Sequence, residues 1–423
     1  MEEWKEYRLG DLIELNNGFA FKSKDFIQNG IPVIKIKNVK PNRILLEDLS
    51  FVSVETAQHK KCVKILPTDI LITMTGNRKD GGSDSWVGKV ALFKKEGKYL
   101  LNQRVSAIKV KRHDIINYKY LAYLLSSWES QLYFINNSNS SGGQANISPE
   151  IVNNYIIYIP SLYIQNSISN ILSSLDDKIE LNRRINENLE QQAQALFKSW
   201  FVDFEPFKDG KFVDSELGMI PEGWKVKKLG ELCDSISVTH PCKEGQLIFL
   251  NTGDIENGFV LNHKYMNIKD MPGQAKKSIQ ENDILYSEIR PINRHFAFVN
   301  FPAQEYIVST KLMVLRANDN ESSIRLYQYL TSEDVINALQ HEAESRSGTF
   351  PQIRFENIKS LKILIGSDDV EKKYTKYIGN IYKMIFQYRK EIMRLAQLRD
   401  TLLPRLMSGE LAITDVDDRS IFQ

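Results

Sequence analysis

This chain has almost no excess of either charge. Over 423 residues, 55 Lys and Arg stand against 53 Asp and Glu. Net charge therefore points to no partner, and a nucleic-acid binder of this composition has to gather its basic groups locally. Cysteine is scarce too. Cys62, Cys233 and Cys242 form neither a disulfide framework nor a CxxC pair, which argues against zinc and for a reducing cytoplasm. No run of about 18 apolar residues occurs, so no membrane span is expected. The N-terminal MEEWKEYRLGDL lacks the apolar core of a signal peptide. Signatures of catalysis are absent as well. The six histidines are scattered, with no HExxH. There is no Asn- or Asp-Pro-Pro-aromatic loop and no Gly-rich loop for S-adenosylmethionine. GSDSWVGKV (82–90) misses the phosphate-loop pattern, with five residues between Gly82 and Gly88 where four are required, and Val90 where a hydroxyl is needed. Asp176-Asp177-Lys178 has the residue types of a nuclease metal site, but its place between apolar helix positions reads as a solvated face. No catalytic residue, metal site or cofactor of its own is expected.

What the chain does have is a long amphipathic run, Ile164 to Trp200. Apolar residues recur at Ile164, Ile168, Ile171, Leu175, Ile179, Ile185, Leu189, Ala193 and Leu196, mostly in steps of three and four. No Pro or Gly interrupts it. A helix of about 35 residues is roughly 50 Å long and needs a partner along its length. Before it, 31–39, 69–75, 89–95 and 105–110 read as short strands. A helix is expected from Tyr118 to about Phe134, and 155–161 as a last strand. The polar stretches 76–89 and 136–148 read as loops. After the helix, Pro206 to Gly223 reads as a linker. Strands are expected again at 246–250, 283–289, 295–299 and 311–316, and a helix from Ser323 to about Glu342.

The second half repeats the first. GGQANISPEIVNNYIIYIPS (142–161) aligns with GTFPQIRFENIKSLKILIGS (348–367), and the register continues without a gap into the helices. Ile147 meets Ile353, Leu175 meets Ile381, Ile179 meets Ile385 and Leu189 meets Leu395. Trp4 pairs with Trp224, and Asp69-Ile70-Leu71 with Asp283-Ile284-Leu285. The bodies between these anchors diverge. A second long helix follows at 369–407, with a stripe of Val370, Tyr374, Tyr377, Ile381, Ile385, Tyr388, Ile392, Leu395, Leu398, Leu402 and Leu406. The seam is expected to hold Ile168, Ile171, Leu175, Ile179 and Leu189 on one helix, and Tyr374, Ile381, Ile385, Ile392 and Leu395 on the other. The expected fold is α+β: two pseudo-repeated mixed α/β domains (1–161 and 224–367) separated by a long antiparallel two-helix coiled coil (162–205 and 368–409). A linker at 206–223 and a tail at 410–423 complete the chain.

The duplicated W…LG-[DE]-L openings, LFKSWFVDFEP and GMIPEGW after the first helix, and the closing LLPRLMSGEL resemble the specificity subunit of type I restriction-modification systems. The resemblance covers essentially the whole chain. It implies that each variable domain is a target recognition domain reading one half of a split double-stranded DNA site. It implies that the coiled coil fixes the spacing and docks two modification subunits and, in the full complex, restriction subunits. S-adenosylmethionine would then be bound by the modification subunit, and ATP and Mg by the restriction subunit.

Reading base edges takes Arg, Lys, Asn, Gln, Ser or backbone amides on loops that enter a groove. In the first half the candidates are Asn77, Arg78, Lys79, Ser83 and Lys89 in one stretch, and Ser141, Gly142, Gln144 and Asn146 in another. In the second half they are Arg290, Asn293 and Arg294, then Arg346, Ser347, Gly348, Gln352 and Arg354. Two other readings stand beside this one: a coiled-coil scaffold that binds only protein, and a stand-alone methyltransferase or nuclease, against which the missing motifs argue.

Overall fold

The computed structural model describes residues 4–59, 61–78, 85–141, 144–319, 322–346 and 349–411. The chain forms two compact units, Met1–Ile179 with Arg394–Gln423, and Glu180–Met393. The units are cut across the two long helices rather than at their ends, because each half-helix shares a core with its own α/β domain.

In the first unit an antiparallel sheet runs in the order Val90–Leu92, Ile70–Thr73, Val105–Val110, Ile13–Asn17. In the second, Phe296–Phe298, Ile284–Ser287, Leu312–Ala317, Cys233–Ile236 have the same order. A second sheet carries a parallel pair in both units, Leu100–Leu101 with Ile31–Ile34 and Gln246–Leu250 with Tyr306–Ser309. Its edges differ. Phe26–Ile27 extends it on one side in the first unit, and Ala275–Ser278 on the other side in the second. The repeat is thus a shared frame with variable edges. The entry anchors pair with the exit strands, Lys5–Arg8 with Ile156–Ile159 and Lys225–Lys228 with Lys362–Ile365. Trp224 packs on Phe207 at 4.9 Å, and Trp4 lies beside Gly409, where an added Cβ would come 3.2 Å from its ring.

Three sequence expectations are corrected here. The single helix over 118–134 is two, Tyr118–Leu125 and Trp128–Asn136, with Ser127 capping the second by accepting from the Ser130 amide at 3.3 Å. The second unit breaks at the matching place, into Ser323–Leu330 and Glu333–Arg346. The polar stretch 136–148 contains strands, Asn139–Ser141 and Gln144–Asn146, because Thr75–Gly76 offers a backbone ladder for the second of them. The linker contains a hairpin, Phe212–Ser215 with Gly218–Pro221, closed where Gly218 takes a φ of +90°.

Both long helices have 40 residues, Leu162–Phe201 and Asp368–Met407. On the first, buried positions fall at Gln165, Ile168, Leu172, Leu175, Ile179, Asn182, Asn186, Leu189 and Ala193, in alternating steps of three and four. That is a heptad seam. Ser169, Ile171 and Ser173 are buried beside this seam, Ile171 in the domain core of the first unit. On the second helix one column is Ile378, Ile385, Ile392 and Arg399. The other holds buried Tyr382, Arg389 and Leu403, one residue beyond the expected Ile381, Tyr388 and Leu402, with part-buried Ala396 between them. Ile381 is only partly buried and Tyr377 is 56% exposed, whereas Tyr374 and Leu395 are buried. The apolar residues straddle the seam, so their spacing alone leaves its rotation open by one position. In the first unit Ile168 and Leu172 share a core with Leu403 and Leu406. In the second, Leu189 and Ala193 share one with Ile378, Tyr382 and Ile385. The helices run antiparallel.

The reading of Asp176 is corrected as well. Its side chain is 17% exposed, accepts from Arg399 at 2.7 Å and from the Tyr123 hydroxyl at 2.6 Å, and so is no part of a solvated face. Asp177 is exposed and pairs with Lys94.

Candidate nucleic-acid interface

In each unit the fold brings together two polar segments that are far apart in sequence. The Ile147 amide donates to the Met74 carbonyl at 3.0 Å in the first unit, and the Ile353 amide to the Glu288 carbonyl at 2.8 Å in the second. These bonds are matched across the repeat. Each ties the segment that enters the last strand to the loop that follows the central strand of the main sheet.

In the first unit Thr75 Oγ1 donates to Asn146 at 2.8 Å, and Arg78 reaches the Ser138 carbonyl at 2.7 Å. Asn77 binds Ser85 through both its amide nitrogen and its side chain. Arg78 and Gln144 are exposed, Asn77 and Asn146 partly so. Lys79, Ser83 and Gly142 lie outside the described residues. Ser141 ends the strand Asn139–Ser141. Lys89 leaves the candidate set. It is 4% exposed, because its backbone follows the sheet and donates to Thr73 Oγ1.

In the second unit Arg290 donates its amide to the Pro351 carbonyl at 3.1 Å and its guanidinium to the Thr349 carbonyl at 3.2 Å. Arg290 and Arg294 bracket the turn Pro291–Asn293, at φ values of 43° and 55°. Non-glycine residues hold such angles only where their surroundings over-determine them. The Ile292 amide donates to Gln340, and Arg294 pairs with Glu333. Arg290, Asn293, Gln352 and Arg354 are exposed. Arg346 is turned back on its own helix, to Glu342, and lies 3.5 Å from Asn357 Oδ1. Ser347 and Gly348 lie outside the described residues. The joint between loop and second helix is built differently in the two units. In the first it is Trp86 against Trp128, ring centres 5.7 Å apart; in the second it is Arg294 with Glu333.

Sequence reasoning missed one basic pair. Arg104 donates to the Gln144 side chain at 3.0 Å, and its carbonyl accepts the Met74 amide at 2.9 Å. Lys311 occupies the same place in the second unit, with its carbonyl accepting the Glu288 amide at 3.0 Å. The signal was present: a basic residue stands before the strand VSAIKV and before LMVLR. Chemically these surfaces offer cations, amides and exposed backbone. Among the described residues no group of three or more His, Cys, Asp or Glu is placed to hold a metal ion. No helix among them is long and apolar enough to cross a membrane.

A family described as the type I restriction modification DNA specificity domain matches residues 1–191 and again 221–394. The chain belongs to the type I restriction-modification specificity subunits. It carries two recognition domains, one per match. The MjaIX specificity subunit of Methanocaldococcus jannaschii is 27% identical over 98% of this chain and 95% of its own length. The EcoBI specificity subunit of Escherichia coli is 24% identical over 97% and 86%. The HindI specificity subunit of Haemophilus influenzae is 41% identical, over 36% of this chain and 33% of its own. A crystal structure of a type I S subunit from M. genitalium shares the fold, with a TM-score of 0.56 over 96% of both chains at 15% identity.

Proposed function

We propose that each recognition domain reads one half of a split double-stranded DNA site through its own pair of joined loops. The helix pair docks two modification subunits and, in the full complex, restriction subunits. The chain itself is non-catalytic and works in the cytoplasm. S-adenosylmethionine belongs to the modification subunit, and ATP with Mg to the restriction subunit.

One observation supports this reading above the others. The same backbone bond, Ile147 to Met74 and Ile353 to Glu288, builds the same place in both units, and each unit fills that place with different cations and amides. A shared frame with divergent polar tips is what two independent readers of different sequences need. A scaffold that binds only protein has no use for such divergence.

The test uses the chain assembled with its modification subunits, scored for methylation across a library of variant sites. Replacing Arg78 and Gln144 by Ala should relax discrimination in one half of the site. Replacing Arg290 and Gln352 by Ala should relax it in the other. A complex that shifts no DNA, or variants that change neither half, would leave the protein scaffold as the better reading. Methyl transfer by the chain alone would refute its non-catalytic role.

A further inference from the structure

We propose that Arg389, on the C-terminal helix, is a positioning residue for the reading loop Arg290–Arg294, and acts through the turn at Asn257-Gly258. The inference rests on that loop reading DNA.

Arg389 stands in a seam column, where the heptad calls for an apolar side chain, and it is 8% exposed. A buried cation there is unfavourable unless its charge and its donors are matched. Three groups match its charge and its two terminal nitrogens, while Nε has no hydrogen-bond partner among the described residues. Nη2 donates to Glu190 on the first long helix at 2.8 Å and to the Asn257 carbonyl at 3.2 Å. Nη1 donates to the Gly258 carbonyl at 2.9 Å. The guanidinium also lies 4.4 Å from the centre of the Phe259 ring. One side chain thereby joins both helices to a single turn of the recognition domain.

That turn is a two-residue hairpin between Ile255–Glu256 and Phe259–Val260. Asn257 and Gly258 both have positive φ, 46° and 84°, the Asn-Gly pattern of the tight hairpin. A hairpin of this length needs no charged side chain to close it. What the turn does on its other side gives the arginine a purpose. The Asn257 amide donates to the Arg294 carbonyl at 2.7 Å, and the Gly258 amide to the Phe296 carbonyl at 2.8 Å. His295 closes the gap between them through the Ile255 carbonyl at 2.6 Å. Of the two residues that accept from Arg389, Asn257 therefore donates to the end of the reading loop and Gly258 to the first residue of the strand that follows it. Arg294 is the residue whose left-handed backbone ends the Pro291–Asn293 turn and presents Arg290 and Asn293. The path runs from helix to turn to loop, with hydrogen bonds at each step. Its consequence is selective, because it concerns the second domain alone.

The test uses the full chain assembled with its modification subunits. Exchanging residues 224–367 for those of another family member first assigns the half-site of the second domain. Arg389→Met keeps an unbranched apolar stem in the seam and removes all three hydrogen bonds. Gly258→Ala attacks the same joint from the turn, since its Cβ would overlap the Arg389 guanidinium and the Tyr327 hydroxyl. It leaves both long helices unchanged, so it decides the matter if Arg389→Met fails to assemble. In both variants, discrimination between the cognate second half-site and its single-base variants should fall by about tenfold, the scale of one base contact. Discrimination at the first half-site should stay within about twofold. Equal loss at both halves, no loss at either, or reduced methylation with both profiles intact would overturn the inference. If the domain exchange itself alters both halves, the underlying reading of the loops fails instead.

Discussion

Arg399 donates to Asp176 at 2.7 Å inside the first unit, and each side chain is only about one-sixth exposed. Burial opposes the charge on Arg399, but Asp176 and Asp400 beside it more than offset this and hold its pKa up. Burial, and then the Asp176 charge, drive the Tyr123 hydroxyl the same way, keeping it a donor to Asp176. Asp176→Ala leaves a cation half-stranded in the seam and should destabilise the first unit by about 2–4 kcal/mol. The double variant Asp176→Leu with Arg399→Leu should cost less than the single one, because no unpaired charge remains. Hydrogen exchange resolved by segment reads the loss in the first unit. A double variant worse than the single would mean that the pair is not the source of the effect.

The seam of the second unit carries a weakness. Asn182 and Asn186 are buried at successive seam positions, and among the described residues neither side-chain amide finds a hydrogen-bond partner. Each unsatisfied amide is expected to cost on the order of 1–3 kcal/mol. Buried asparagine in a coiled coil gives up stability for a fixed register. Asn182→Leu with Asn186→Leu should therefore raise the melting temperature of this unit by roughly 4–24 °C, at about 2–4 °C per kcal/mol for its size. The same variant should broaden the range of assembly states seen in analytical ultracentrifugation. A lower melting temperature would show that the two amides are satisfied in solution.

Asp69 and Asp283 are matched across the repeat, both buried, and each accepts from the backbone three residues earlier, Leu66 at 2.9 Å and Gln280 at 2.8 Å. Their cations differ. Arg316 forks onto both oxygens of Asp283 at 2.7 and 2.9 Å, whereas Lys109 stays 3.9 Å from Asp69. Burial raises the Asp69 pKa. A raised folded pKa gives stability that is present below the unfolded value, about 3.9, and is lost as pH rises through the folded value. Lys109→Arg offers the missing fork and should lower that folded pKa. It should add about 1 kcal/mol at pH 7.5 and progressively less toward the lowest pH at which the chain stays folded, where Asp69 is protonated. Urea unfolding at the two pH values checks this. An equal gain at both would exclude Asp69 as the partner.

The repeat was legible because both copies keep the same frame. Ile147 and Ile353 align in sequence and make the same backbone bond in space. The long helices were legible from their periodicity, but the rotation of the second was not. Tyr388 and Arg389 are neighbours, and hydrophobicity favours the tyrosine, yet the seam takes the arginine because Glu190 and two carbonyls wait for it. Asp176 was misread for the same reason, since its partner lies 223 residues away. The break at Ser126-Ser127 was overridden by the apolar stripe on either side, although a serine preceding a helical run is a start signal. Lys89 was drawn into the candidate loop by its sequence neighbours. Its backbone had already returned to the sheet, where the Thr73 hydroxyl accepts its amide.

Arg104 and Gln144 offer a test of how the first half-site is read. The guanidinium donates to the Gln144 oxygen at 3.0 Å, and both residues are exposed. A glutamine reads adenine only if its amide is held with a known face outward, since oxygen and nitrogen take opposite roles at the base edge. Arg104 fixes that face by claiming one lone pair of the oxygen, which leaves the nitrogen donors free. Arg104→Ala should therefore act on discrimination much as Gln144→Ala does, each losing about 1–2 kcal/mol between the cognate base and its competitors at one position. Because the two act as one unit, the double variant should lose no more than either single. The readout is methylation of a library varied through the first half-site, by the chain assembled with its modification subunits. If Arg104→Ala instead weakened binding equally for every sequence and flattened the salt dependence by about one unit, the arginine would be a phosphate contact. Additive losses would mean that it meets a base of its own.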